Sequence, residues 1–180
     1  DLKNLLDYFQ AARSRQPEIQ ITLAGDDCFH VHWRGRSSRF GVYPISIDTQ
    51  RIEDDAPAAF AQPSVQELRQ SLGARALVLG VDRLDYSKGL EHKLRAFDAY
   101  LGAGADAASP VLLQMASRSR SELASYQQLC TALEARTSQI NGRHGTPSYT
   151  PVRYVNTVCD QGLLTGFYRL ARVALVTPMR

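Results

Sequence analysis

Residues 78–97 read VLGVDRLDYSKGLEHKLRAF, and this stretch decides the fold class. The apolar run 76–81 is short and bounded by polar residues, which predicts a strand covered on both faces. Beyond it, Leu90, Leu94, Phe97 and Leu101 fall on one apolar stripe, which predicts an amphipathic helix over 89–103. Glu91 and Arg95 pair on its wet side. Arg83 and Lys88, five residues apart, stand between the end of the strand and the start of the helix. Open α/β sheets bind ligands at that place, and free backbone N–H groups there favour anions. Two cations at such a site point to a diphosphate or a sugar phosphate.

Working outward, strands are expected at 76–81, 111–116, 152–155 and 173–177, alternating with helices at 89–103, 121–139 and 161–171. Ser121 and Asp160 stand where they would cap the last two helices. This alternation implies βαβ units and a doubly wound parallel sheet. Upstream, a helix over 1–15 precedes strand-like runs at 19–23, 28–33 and 39–43. Residues 46–54 read as a connection, Pro57 and Pro63 frame a short helix at 58–61, and Ser64 is placed to cap another helix ending at Leu72. The change of domain is expected near 47–57, dividing the chain into 1–50 and 51–180.

Composition excludes several classes. With 180 residues, 44% hydrophobic and 22% charged, the chain has the make-up of a globular protein that holds one domain or parts of two. A net charge of +3, without a basic run or basic–aromatic interleaving, gives no nucleic-acid surface. Arginines outnumber lysines 18 to three, a compositional bias that makes Lys88 a less casual occurrence. No apolar run is long enough to span a membrane, and the opening DLKNLLDYFQ is no signal peptide. Cys28, Cys130 and Cys159 are odd in number and widely spaced, which fits free thiols in the cytoplasm. His30 and His32 share one face of a strand pattern with Cys28, but no further ligand falls at a matching spacing, so they read as packing or exposed side chains. Gly73, Gly80 and Gly89 do not form a dinucleotide fingerprint.

VDRLDYSKGL, residues 81–90, resembles the V-x-R-L-D-Y-x-K-G-L signature of trehalose-6-phosphate synthases, glycosyltransferase family 20. Three further blocks follow the family's order: VYPISID at 42–48, INGRHG at 140–145 and VALVTPMR at 173–180. The resemblance implies a GT-B-type glycosyltransferase of two Rossmann-like domains. Residues 1–50 would be the end of the first domain with its crossing linker, and 51–180 the first part of the second, nucleotide-sugar-binding one. It also implies glucose transfer from UDP-glucose to glucose 6-phosphate with retained anomeric configuration, small-molecule substrates only, and neither metal nor cofactor. A cytoplasmic location is expected from the cysteines, and whether the full-length protein is a homo-oligomer stays open.

Carried over residue by residue, Arg83 and Lys88 would bind the donor and stabilise its diphosphate leaving group, and Arg120 would bind the acceptor's phosphate. Arg118 reads as surface charge and stands in reserve to Arg120, and Asp82 and Asp85 read as capping or Arg83-orienting groups. INGRHG reads as a helix end and turn, with His144 in a surface or packing role. Cys159 stands where many relatives carry an aromatic residue near the uracil, so the nucleotide stays open; Ser46 for glycine is a milder departure. A relative with another donor or phosphorylated acceptor, or a non-catalytic regulatory domain, are the alternatives. The open parallel sheet and lack of a first Rossmann half lead to the expectation of an internal fragment, inactive alone.

Overall fold

The computed structural model describes residues 2–104, 109–117 and 124–179. The chain divides into two units, Asp1–Asp48 and Thr49–Arg180.

In the first unit, helix α1 (Leu2–Arg13) precedes strands β1 (Gln20–Leu23), β2 (Cys28–Trp33) and β3 (Arg36–Gly41). The strands form an antiparallel sheet in the order β1-β2-β3. Buried Ile19, Phe29 and Val31 pack with Leu2, Leu6, Phe9 and Phe40, so alternate residues of β2 face the helix. Strand β3 starts earlier than the expected 39–43. Arg34 (φ 48°) and Gly35 (φ 73°) make a two-residue turn, so pairing resumes at once with Trp33 opposite Arg36.

The second unit holds α2 (Thr49–Phe60), α3 (Pro63–Leu72), β4 (Leu77–Arg83), α4 (Leu90–Gly102), β5 (Val111–Ser117), α5 (Ala124–His144), β6 (Val152–Val155), α6 (Gln161–Leu170) and β7 (Val173–Ala174). All pairings are parallel, in the order β6-β5-β4-β7. The period-2 alternation of the strands sorts two cores. Leu77, Leu79, Val111, Leu113 and Met115 meet Val65 and Leu72 of α3 and Phe167 of α6. Leu112, Ala116 and Val152 meet Leu90, Leu94, Phe97 and Leu101 of α4 and Leu129, Leu133 and Ile140 of α5. Helices therefore cover both faces of a parallel sheet, the expected doubly wound α/β architecture.

Four local expectations are corrected. The connection ends at Asp48 rather than at 54, and the helix expected at 58–61 is the end of α2, which runs through Pro57, supported by Gln50–Asp54 (2.9 Å) and Arg51–Asp55 (3.8 Å) one turn apart. Ser64 does not cap α3, because Pro63 occupies the first helical position and Gln62 precedes it without a side-chain bond. Helix α5 continues to His144, so most of INGRHG is its last turn, with Gly145 closing the helix by a bond to the Asn141 carbonyl (2.9 Å). Strand β7 is two residues, not five. Asp160 does cap α6, its Oδ1 accepting from Leu163 N–H at 2.8 Å. No helix among the described residues is long and apolar enough to cross a membrane.

Candidate functional site

Strand β4 ends at Arg83, whose side chain is exposed on the carboxyl rim of the sheet. Leu84 is buried (3% exposed) and donates its N–H to the Ser117 carbonyl at 2.8 Å, so the chain stays in register with β5 before it turns. Asp85 then adopts an extended backbone and its Oδ1 accepts from Ser87 N–H at 2.9 Å. That bond caps a single 3₁₀ turn, Tyr86–Lys88, and Gly89 at φ 60° bends the chain into α4. The left-handed bend needs glycine, and it puts the half-buried Lys88 beside the start of a helix.

The Ser87 N–H bond is the main cause that holds the Asp85 carboxyl below its ordinary pKa; Arg83 and Lys88 add smaller pulls in the same direction. Both cations therefore lie within electrostatic reach of one carboxylate. Among the described residues neither makes a salt bridge. The arrangement places one positive residue at the end of β4 and another on the capped turn, on either side of Asp85.

Asp82 corrects the sequence reading. Strand parity turns it inward, away from Arg83, so its Oδ2 accepts from Lys93 Nζ at 2.7 Å and from Gln114 Nε2 at 3.1 Å. The stripe reading assigns Lys93 no role, although the sequence carries a signal. Position 93 lies three after Leu90 and four before Phe97, within the apolar stripe itself.

A further backbone segment closes on the turn. Thr177 Oγ1 donates to the Lys88 carbonyl at 3.0 Å, and Met179 N–H donates to the Ser87 carbonyl at 2.7 Å. A Cβ at Gly89 would stand 2.5 Å from the Thr177 carbonyl, a second reason for glycine there. Tyr86 also meets Tyr126 of α5 edge-on, ring centroids 5.9 Å apart.

Arg118, Arg120 and Ser121 lie outside the described residues, past the end of β5. Cys159 follows β6 and is half-buried beside the Phe167 core; burial raises its thiol above the ordinary value. Asn141 clamps Val152, giving its Nδ2 to the carbonyl (2.9 Å) and taking the N–H on Oδ1 (2.8 Å). Arg143 and His144 both bond Asp98, so these residues hold helix ends, not an anion. The rings of His30 and His32 stack with centroids 6.3 Å apart, and among the described residues no group of three or more potential ligands forms.

The profile of glycosyltransferase family 20 matches residues 9–180. The chain belongs to that family. A trehalose-6-phosphate synthase of Sinorhizobium fredii is 37% identical to it over 147 residues, 81% of this chain and 32% of the relative. The crystal structure of the trehalose 6-phosphate synthase of Burkholderia multivorans superposes over 100% of this chain and 37% of its own, at TM-score 0.86 and 34% identity. A UDP-forming synthase of Burkholderia xenovorans, in complex with glucose-6-phosphate, covers 90% of this chain and 36% of its own, at TM-score 0.81 and 32% identity. The chain thus spans about a third of these family 20 relatives. Its parallel sheet with helices on both faces matches their GT-B-type fold.

Proposed function

We propose that this chain is the donor-side part of a retaining glucosyltransferase that moves glucose from UDP-glucose to glucose 6-phosphate, forming trehalose 6-phosphate. The observation that carries the reading is the pair Arg83 and Lys88, on either side of Asp85 at the carboxyl rim of a parallel sheet in a family 20 chain. A relative that is UDP-forming and binds glucose-6-phosphate supports the two substrates.

Departure of UDP builds negative charge on a diphosphate. Lys88, on the backbone turn that the Asp85 cap and Gly89 order, and Arg83, at the end of β4, would offset that charge as it develops. Arg120 would hold the acceptor's phosphate, keeping the attacking hydroxyl beside the donor's anomeric carbon. Such a mechanism draws on electrostatics and placement, with neither metal nor cofactor taking part.

In the full-length enzyme, Arg83→Ala and Lys88→Ala should each lower turnover by about 10²-fold or more, at roughly 3 kcal/mol per preorganised contact. The fold should persist, since Arg83 is exposed and Lys88 lies on a rim turn. Calorimetric titration should show UDP binding weakened by both. Arg120→Ala should weaken glucose 6-phosphate far more than UDP. Normal turnover in either donor-side variant refutes the reading, and equal losses of both ligands in Arg120→Ala refute its acceptor role.

A further inference from the structure

Beneath the rim lies a lysine that is only 1% exposed. Lys93 Nζ donates to Asp82 Oδ2 at 2.7 Å and to the Leu175 carbonyl at 3.0 Å, and Gln114 Nε2 donates to the same Asp82 oxygen at 3.1 Å. The side chains of Lys93 and Asp82 are 0% and 7% exposed. Burying two charges costs several kcal/mol per ion, and an apolar residue on the α4 stripe would pack there without that cost. Gly80 marks how closely the group is built: a Cβ there would stand 2.8 Å from Lys93 Nζ and closer still to the Gln114 side chain. Helix α4 and strands β4 and β5 thus converge on one buried ion pair, whose ammonium also holds the chain leaving β7.

The consequence runs through Leu175. Strand β7 pairs with β4 at Val173 and Ala174, and Leu175 N–H still bonds the Leu79 carbonyl at 2.8 Å. The Leu175 carbonyl then goes to Lys93 instead of extending the ladder, which is why β7 stops short of the expected 177. Released from the sheet, the chain passes over the 3₁₀ turn, where Thr177 and Met179 bond the carbonyls of Lys88 and Ser87. The backbone that presents Lys88 is therefore held by a segment whose departure point Lys93 sets.

We infer that Lys93 is a positioning residue for the donor diphosphate, acting through Leu175 and Thr177 on the Lys88 turn. The inference rests on the donor-site reading of Arg83 and Lys88 given above.

The test uses the full-length enzyme with UDP-glucose and glucose 6-phosphate, measuring kcat, both KM values and the melting midpoint. Four variants are compared: Lys93→Met, the double variant Asp82→Asn with Lys93→Met, Thr177→Val, and Arg83→Ala as reference. Lys93→Met strands a buried carboxylate and can fail to fold. The double variant removes both charges and should melt above Lys93→Met. Its donor KM should nevertheless stay about tenfold above wild type, with the acceptor KM unchanged, because a small displacement of a binding group is costly. Thr177→Val, at a half-buried position, should fold and raise the donor KM about threefold.

A wild-type donor KM in Thr177→Val, or in a folded double variant, overturns the inference. So does an equal rise of both KM values, which a merely structural lysine would give. If neither Lys93 variant folds, Thr177→Val decides alone. An unchanged donor KM in Arg83→Ala overturns the donor-site reading itself; a raised one there beside wild-type values in the other variants overturns only the role of Lys93.

Discussion

Asp98 of α4 holds the last turn of α5 through one carboxylate: Arg143 Nη1 donates to both its oxygens at 2.9 and 3.0 Å, and His144 Nε2 lies 2.8 Å away. Burial works against its charged form, but His144 and Arg143 outweigh that and hold its pKa below the ordinary 3.8. A carboxyl with a lowered pKa in the folded state stabilises it above the unfolded value, and that contribution is lost as pH falls through the folded one. Asp98→Asn should therefore cost about 1–2 kcal/mol at pH 7, with Arg143 largely solvated. The difference from wild type should shrink below about pH 4. Chemical denaturation at both pH values checks it; a pH-independent difference contradicts the ionic account. This contact was not legible in the sequence, because it joins residues 45 and 46 positions apart. Arg83 and Lys88 were legible because their place follows from local rules alone, a strand end and a helix start. Asp82 was misread since its neighbour Arg83 is only a sequence neighbour: successive side chains of a strand point to opposite faces.

At the scale of elements, apolar periodicity located all four strands of the parallel sheet and the helices between them; their ends depended on tertiary partners. Helix α5 outruns its expected end because the Asn141 clamp on Val152 and the Asp98 contacts reward the extra turn against glycine's low helix propensity. Strand β7 falls short because a side chain from α4 takes its next carbonyl. Gly166 shows the same dependence in packing. A Cβ there would stand 2.6 Å from both the Ala59 carbonyl and Val65 Cγ2, so α6 can approach α2 and α3 only without a side chain at that position. Gly166→Ala would gain a little helix propensity and lose more to overpacking, a net loss of about 1–2 kcal/mol. A fall of several degrees in the melting midpoint is expected, and an unchanged or raised midpoint would mean that the helices part freely.

The two units differ in how much core they own, and that difference sets how the molecule should open. Strand β5 lies between β4 and β6, and six of its seven residues are buried. In the first unit α1 has no buried residue, and the apolar centre rests on Ile19, Phe29 and Val31 with half-exposed neighbours. Small cores leave little margin over chain entropy, and amide exchange reports local opening element by element. Backbone amides of α1 and β1–β3 should exchange at least tenfold faster than those of β4 and β5 under native conditions. Donor-site ligands should add protection around the Lys88 turn and leave the first unit's own rates unchanged, since the capped turn, the Lys93 group and the Thr177 contact all lie within the second unit. Hydrogen exchange followed by mass spectrometry, with and without UDP, separates the two effects. Uniform protection across both units would show that the first unit draws its stability from more than its own three-stranded sheet.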